Sequence, residues 1–279
     1  MIVPHSVPSS EKPKPPTFPG PVNPPSYKSH NNTAHYAIKI KQPTMPTTKI
    51  RAIFFNFMGT CLDWHTGALN ALPQSIPQNE RSQIALNWRQ DYFDANSARL
   101  AAHEPPEDID ITLRKTLDAL LTKHSAHADL FDEHTKHRCV AAWHSMPAWP
   151  EVPRAIEQLK AAGYEVFVSA NGTTRLQLDL CKSSGLAFDM LFSSELLGVY
   201  KPALENYRKT LQLVKVRPEE CVMVAAHAFD VRGGKEAGMR TVYVHRWTDD
   251  IKEDMEVVRG ENDFFLEDMT DLAAVIGRL

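Results

Sequence analysis

The sequence predicts an α/β fold: a Rossmann-like parallel sheet with an inserted all-helical cap subdomain. Three observations predict it. The apolar run IRAIFFNF (50–57) reads as a strand buried on both faces, the type found in parallel sheets. Helical periodicity fills residues 64–149. From residue 150 onward helix and strand patterns alternate, which implies crossover connections and helices on both faces of the sheet.

The elements follow in order. Residues 1–48 hold eleven of the 20 prolines, and the other 231 residues hold nine. Proline fixes φ and removes a backbone donor, so a disordered or partly polyproline II tail is expected here. AHYAIKI (34–40) is its piece best suited to order. The tail's PKPP is the kind of string that SH3-type grooves bind, and composition alone produces such strings. The segment has no apolar h-region of a secretory signal. The first strand is broken at Gly59-Thr60. ERSQIALNWRQDYFDANSARL (80–100) and DITLRKTLDALLTKHSA (110–126) then place apolar residues at helical spacing. Pro147, Pro150 and Pro153 punctuate the chain. Beyond them come the helix VPRAIEQLKAAG, the strand YEVFVSA, the helix TTRLQLDLCKSSG and the short strand FDMLFSS. ALENYRKTLQLV (helix), CVMVAA (strand), DVRGGKEAG (helix) and TVYVHR (strand) complete the pattern. Glycine closes VPRAIEQLKAAG and TTRLQLDLCKSSG, a C-cap signal. The expected organisation is a core of residues 49–63 and 150–279 with a cap of residues 64–149 between them.

At 43% hydrophobic and 23% charged, the chain is globular material. A net charge of −3 supplies no general field for nucleic acid or an anionic membrane. No apolar run reaches the 18 or more residues of a membrane span. Cys61, Cys139, Cys181 and Cys221 are far apart without a CxxC, so neither a disulfide framework nor a zinc site is expected. They read as small buried hydrophobes, consistent with a cytoplasmic protein. His134 and His137 have helical spacing but no third ligand, so no metal is expected there.

Ligands in open α/β sheets bind beyond the carboxyl ends of the strands. Those ends carry Asn56 to Thr60, Ser169 to Thr173 and Ala225 to Asp230, with Lys201 before a helix. Lys201 and Asp230 are expected to form an ion pair beneath the site. Histidine suits proton transfer near neutral pH, so His227 is a candidate acid or base. Arg89 in the cap can clamp a carboxylate bidentately. Trp64 is a candidate pocket wall, and Tyr207 sits about a helical turn past Lys201. Gly172 permits close backbone approach, so the Asn171-Gly172 turn can offer amides to an anionic oxygen.

FFNFMGTCLD (54–63), the run WHSMPAWPEVPRAIEQLKAAGYEVFVSANG (143–172), Lys201-Pro202 with Tyr207, and His227-x-x-Asp230 resemble, in order, the motifs of the haloacid dehalogenase (HAD) superfamily, in its L-2-haloacid dehalogenase-like branch. Trp88-Arg89 resembles that branch's substrate-binding arginine site. The proline-rich extension and FMGTCLDWH (57–65) are similar to fungal members, for which secondary-metabolite processing is the implied setting. The resemblance spans residues 50–246. It implies a nucleophilic aspartate at the first strand end, a lysine that neutralises carboxylates, and threonine and serine hydroxyls that position the nucleophile. Position 56 here is asparagine, which cannot form the aspartyl ester. Losing the nucleophile of a covalent enzyme costs about 10⁶-fold in turnover. Ala170 and Ala225 stand where the branch carries serine, and these further departures mark Asn56 as native. Met58 replaces the second aspartate of the phosphatases, so neither Mg²⁺ binding nor phosphatase activity is expected. The expected catalytic set is Asn56, Thr60, Lys201, His227 and Asp230. The expected substrate-binding set is Arg89, Asn171, Gly172, Tyr207 and Trp64. No cofactor is expected, the expected partner is a small organic substrate, and a homodimer stays open. The alternatives to a hydrolase are a non-hydrolytic cyclase, dehydratase or isomerase, and a pseudoenzyme that binds a ligand or partner.

Overall fold

The computed structural model describes residues 49–279 apart from 106 and 124. The expected tail, with its 34–40 segment, lies outside the described residues. In chain order the elements begin with β1 (Ala52–Phe55), α1 (Trp64–Ala71), α2 (Gln78–Ala101), α3 (Ile109–Lys123) and α4 (Glu133–Ala141). They continue with α5 (Val152–Ala161), β2 (Glu165–Ala170), α6 (Thr174–Ser184), β3 (Met190–Ser193), α7 (Ser194–Leu197) and α8 (Leu204–Val214). They end with β4 (Cys221–Ala225), α9 (Ala228–Glu236), β5 (Arg240–Val244), α10 (Met255–Glu261), β6 (Phe264–Leu266) and α11 (Leu272–Ile276).

The six strands form one parallel sheet in the order β3-β2-β1-β4-β5-β6. Side chains alternate between its faces, and both faces are covered. Ile53, Phe55, Val166, Val168, Val222 and Val224 enter one apolar cluster. Their strand neighbours Ala52, Phe54, Phe167, Cys221 and Met223 enter the other. That double burial is why the strands read as unbroken apolar runs. β1 pairs with β2 on one side and β4 on the other, with Phe55 opposite both Val168 and Val224. The chain therefore leaves the middle of the sheet in opposite directions, and a crevice opens past the ends of these strands.

The helices α1 to α4 lie between β1 and α5 in the chain. An aromatic stack ties α1 and α2 to the turn after α4: Trp143 stacks on Trp64 at 5.8 Å and meets Trp88 edge-on at 5.2 Å. A polar clamp adds to it. His144 bonds Asp110 of α3 through Nε2 (2.9 Å) and Asp179 of α6 through Nδ1 (3.0 Å). The Asp110 bond raises the His144 pKa to about 9, against partial burial and with help from Asp179. Gly185 ends α6 in the left-handed conformation, as its sequence signal predicts. The final strand β6 and its flanking helices go beyond the alternation read from the sequence. β6 is only three half-buried residues, too short to show a period.

Two stability predictions follow from this packing. Phe55→Ala empties a fully buried site in the central strand and is expected to cost about 3–5 kcal/mol, whereas Leu213→Ala on the surface should stay within about 0.5 kcal/mol; urea unfolding measures both. The His144 clamp has a folded pKa above its unfolded value. Its contribution, on the order of 1 kcal/mol, is therefore full below about pH 6.5 and lost as pH rises through about 9. The melting temperatures of native protein and His144→Gln should accordingly differ at about pH 6 and converge above about pH 10.

Candidate active site

Beyond the carboxyl ends of β1, β2 and β4 lies a cavity of about 390 Å³, bordered by α2 and the start of α3. Its walls are largely apolar, with Tyr92, Phe93, Leu176, Leu180, Tyr200 and Phe229 among them. Asn56, Lys201, His227, Asn171 and Arg89 bring polar groups to it.

The floor is a hydrogen-bond network around Asn56. Lys201 Nζ donates to Asn56 Oδ1 (3.2 Å), to the Ser169 carbonyl (2.6 Å) and to Asp230 Oδ2. Asp230 is fully buried, and its other oxygen accepts from the Tyr207 hydroxyl at 2.8 Å. Burial pulls the Lys201 ammonium below its ordinary pKa, and Asp230 opposes that pull. Asn56 Nδ2 faces the Met58 carbonyl (3.0 Å), Thr60 Oγ1 (3.1 Å) and His227 Nδ1 (3.0 Å). Thr60 Oγ1 also accepts from the Ala226 amide at 2.9 Å, which ties the turn after β1 to the end of β4. Asn171 holds the Lys201 backbone in place, donating to its carbonyl and accepting from its amide.

His227 is the last residue before α9. Its Nε2 lies 3.1 Å from Asp249 Oδ1. Asp249, in the loop after β5, accepts on Oδ2 from Trp64 Nε1 (3.1 Å) and Thr248 Oγ1 (2.8 Å). Burial pushes its carboxyl pKa up, but the His227 hydrogen bond and nearby charges carry it below the ordinary value. Gly59 makes room for this carboxylate: φ is +84°, and a Cβ there would stand 2.7 Å from Asp249 Oδ1.

Arg89 is buried beneath aromatic rings, its guanidinium 4.4 Å from the centroid of Phe93 and 5.4 Å from that of Trp64. Its Nη1 meets the Met58 sulfur at 2.8 Å, and its Nε has no partner among the described residues. Burial lowers its pKa from the ordinary guanidinium value, with Asp249 and Tyr92 opposing.

The network thus gathers Asn56, Thr60, Lys201, His227 and Asp230, with Arg89 and Asn171 on the cavity. Three expected substrate contacts lie elsewhere. Trp64 is fully buried off the cavity wall, where its indole supports Asp249. Tyr207 sits behind Asp230 and is spent on that carboxylate. The Gly172 amide donates to Ser194 Oγ (2.9 Å), so it is not free for an anion. Ala170 lies on the cavity, whereas Ala225 belongs to the apolar cluster on the opposite face of the sheet. Asp249 was missed because the end of β5 was not read with the other strand ends, although Asp249-Asp250 closely follows that strand.

The donor set does not suit a hard cation. Both Asp230 oxygens are engaged, and the Asn56 oxygen faces an ammonium. No cluster of three or more metal-ligating side chains exists among the described residues. No helix among them is long and apolar enough to cross a membrane.

The chain is 27% identical over 199 residues to (S)-2-haloacid dehalogenase 4A of Burkholderia cepacia, covering 71% of this chain and 84% of that protein. It is 30% identical over 131 residues to the pyrophosphatase PpaX of Bacillus mycoides, covering 46% of this chain and 59% of that protein. The crystal structure of the L-2-haloacid dehalogenase PA0810 superposes with a TM-score of 0.71 at 27% identity, over 82% of this chain and 100% of that one. Residues 50–238, from β1 through α9, match the haloacid dehalogenase-like hydrolase family, and with the shared parallel-sheet fold this establishes that the chain belongs to that family.

Proposed function

We propose that the protein is an enzyme that processes a small, largely apolar organic acid in this cavity, with residues 64–149 as its cap and with no aspartyl ester at residue 56. The observation that carries the reading is Arg89. It is a buried cation whose Nε is unpartnered and whose Nη1 meets only a sulfur, a weak acceptor. Unpartnered buried charge is costly, and a carboxylate offers a guanidinium the planar acceptor pair that would relieve it. Relatives named for 2-haloacids act on small organic acids, which agrees with this reading. The volume of about 390 Å³ and the aromatic walls suit a larger, more apolar acid, such as a secondary-metabolite intermediate.

Hydrolysis through residue 56 is chemically closed, because an amide is a poor nucleophile. A non-hydrolytic conversion, of the isomerase, dehydratase or cyclase type, is favoured by the pairing of His227 with Asp249 at the cavity floor. Lys201 and Arg89 would supply positive potential where negative charge develops.

Two experiments test the reading. In Arg89→Leu, binding of a panel of small aryl and alkyl carboxylic acids, read by calorimetry, is expected to weaken by about 10- to 150-fold, the equivalent of a lost charge-assisted hydrogen bond. The same variant should fold as stably as the native protein or more so; a loss of several kcal/mol would make Arg89 a structural residue and sink the proposal. Native protein is expected to release no halide from 2-chloropropionate, while Asn56→Asp gains measurable release, followed by a halide electrode. Equal rates in both would contradict an inert residue 56, and acid binding without turnover of any panel member would favour a pseudoenzyme.

A further inference from the structure

The hydrogen bonds at the floor determine a protonation state. An asparagine amide has an acceptor end and a donor end, and its neighbours decide which way it points. Lys201 Nζ is a donor only, so it demands the Asn56 oxygen. The Met58 carbonyl is an acceptor only, so it demands the Asn56 nitrogen. With the amide so oriented, an N–H end faces His227 Nδ1 at 3.0 Å. That ring nitrogen must carry a lone pair, because two donors cannot share the contact. The ring proton then sits on Nε2 and is donated to Asp249 Oδ1 at 3.1 Å. Asp249 is itself held by Trp64, Thr248 and the space left by Gly59.

We propose that Asn56 and Asp249 together hold His227 as a neutral imidazole whose bare Nδ1 is the proton acceptor of the site, so that acid–base chemistry at residue 227 stands in for nucleophilic attack from residue 56. This rests on the reading of the cavity as a substrate site. Asn56 can release the ring without stranding a donor. Its two amide hydrogens have the Met58 carbonyl and Thr60 Oγ1 as further acceptors, which leaves Nδ1 to the substrate. Nδ1 then takes a proton from the bound acid, and the electron pair of the broken bond stays on the substrate. The imidazolium is balanced by the Asp249 carboxylate. Return of that proton to another substrate atom restores the neutral ring and consumes no water. An aspartate at position 56 would instead turn an anionic oxygen toward Nδ1 and keep the ring charged.

Charged groups of both signs face His227 from the packed elements. Asp249 and Asp250 lie in the loop after β5, Arg89 and Phe93 on α2, and Phe229 on α9. Lys201 acts on it through Asn56. Asp249 is a positioning residue; His227 is the group that meets the substrate.

The test is ¹⁵N NMR of histidine-labelled protein near neutral pH, with the His227 signals identified by their loss in His227→Gln. The native ring is expected to show one protonated nitrogen, Nε2, and one bare nitrogen, Nδ1. Asn56→Asp should protonate both, and Asp249→Asn should dissolve the single tautomer into a mixture. Thr248→Val, a milder variant that keeps the carboxylate, should shift the Nε2 signal the same way should Asp249→Asn not fold. A native ring protonated on Nδ1, or one unchanged in Asn56→Asp, would overturn the proposal. Arg89→Leu is expected to lose acid binding yet keep the native tautomer, so failure of the substrate reading and failure of this one give different spectra.

Discussion

The Lys201 ammonium is the group on which the cavity floor depends. It is almost wholly buried and bonds three elements at once: the Ser169 carbonyl on β2, Asn56 after β1 and Asp230 on α9. A buried ion pair adds little net stability over an apolar alternative, but stranding either partner costs about 3–5 kcal/mol. The pair therefore acts as a geometric constraint. It fixes which end of the Asn56 amide faces the cavity, and that orientation passes to His227 and then to Asp249.

Charge balance explains why a neutral residue fits at position 56. The surroundings hold two cations, Lys201 and Arg89, and two buried carboxylates, Asp230 and Asp249. A neutral amide leaves that set balanced before any ligand arrives. The same amide also satisfies the Met58 carbonyl, which a carboxylate oxygen would repel. Arg89 stays under-bonded among the described residues, and it lies along the cavity.

The sequence was most readable where residues sit at strand ends. Asn56, His227 and Asp230 were identified at strand ends and Lys201 just before a helix, with the family motifs beside them, and the folded chain brings them into one network. Side-chain direction was less readable. Trp64, Tyr207 and Gly172 stand close to the right place in sequence, yet each spends its polar group on a neighbouring side chain: Asp249, Asp230 and Ser194. The alternation of a strand placed Ser169 away from Ala170, and the structure puts Ser169 beside Phe54 and Met223 across the sheet from the cavity. The same alternation turns Ala225 away as well.

By itself the sequence determined the parallel α/β core, the helical stretch after the first strand, and the absence of a carboxylate at position 56. Local periodicity and residue identity suffice for these, because burial on both faces of a sheet writes a continuous apolar run. Only the tertiary structure decided that residue 249 reaches residue 227, that Arg89 lacks a full set of partners, and which way the Asn56 amide points. These depend on contacts between residues as far as 145 and 185 positions apart. No local pattern encodes such contacts; the packing of the sheet, the inserted helices and the loop after β5 does.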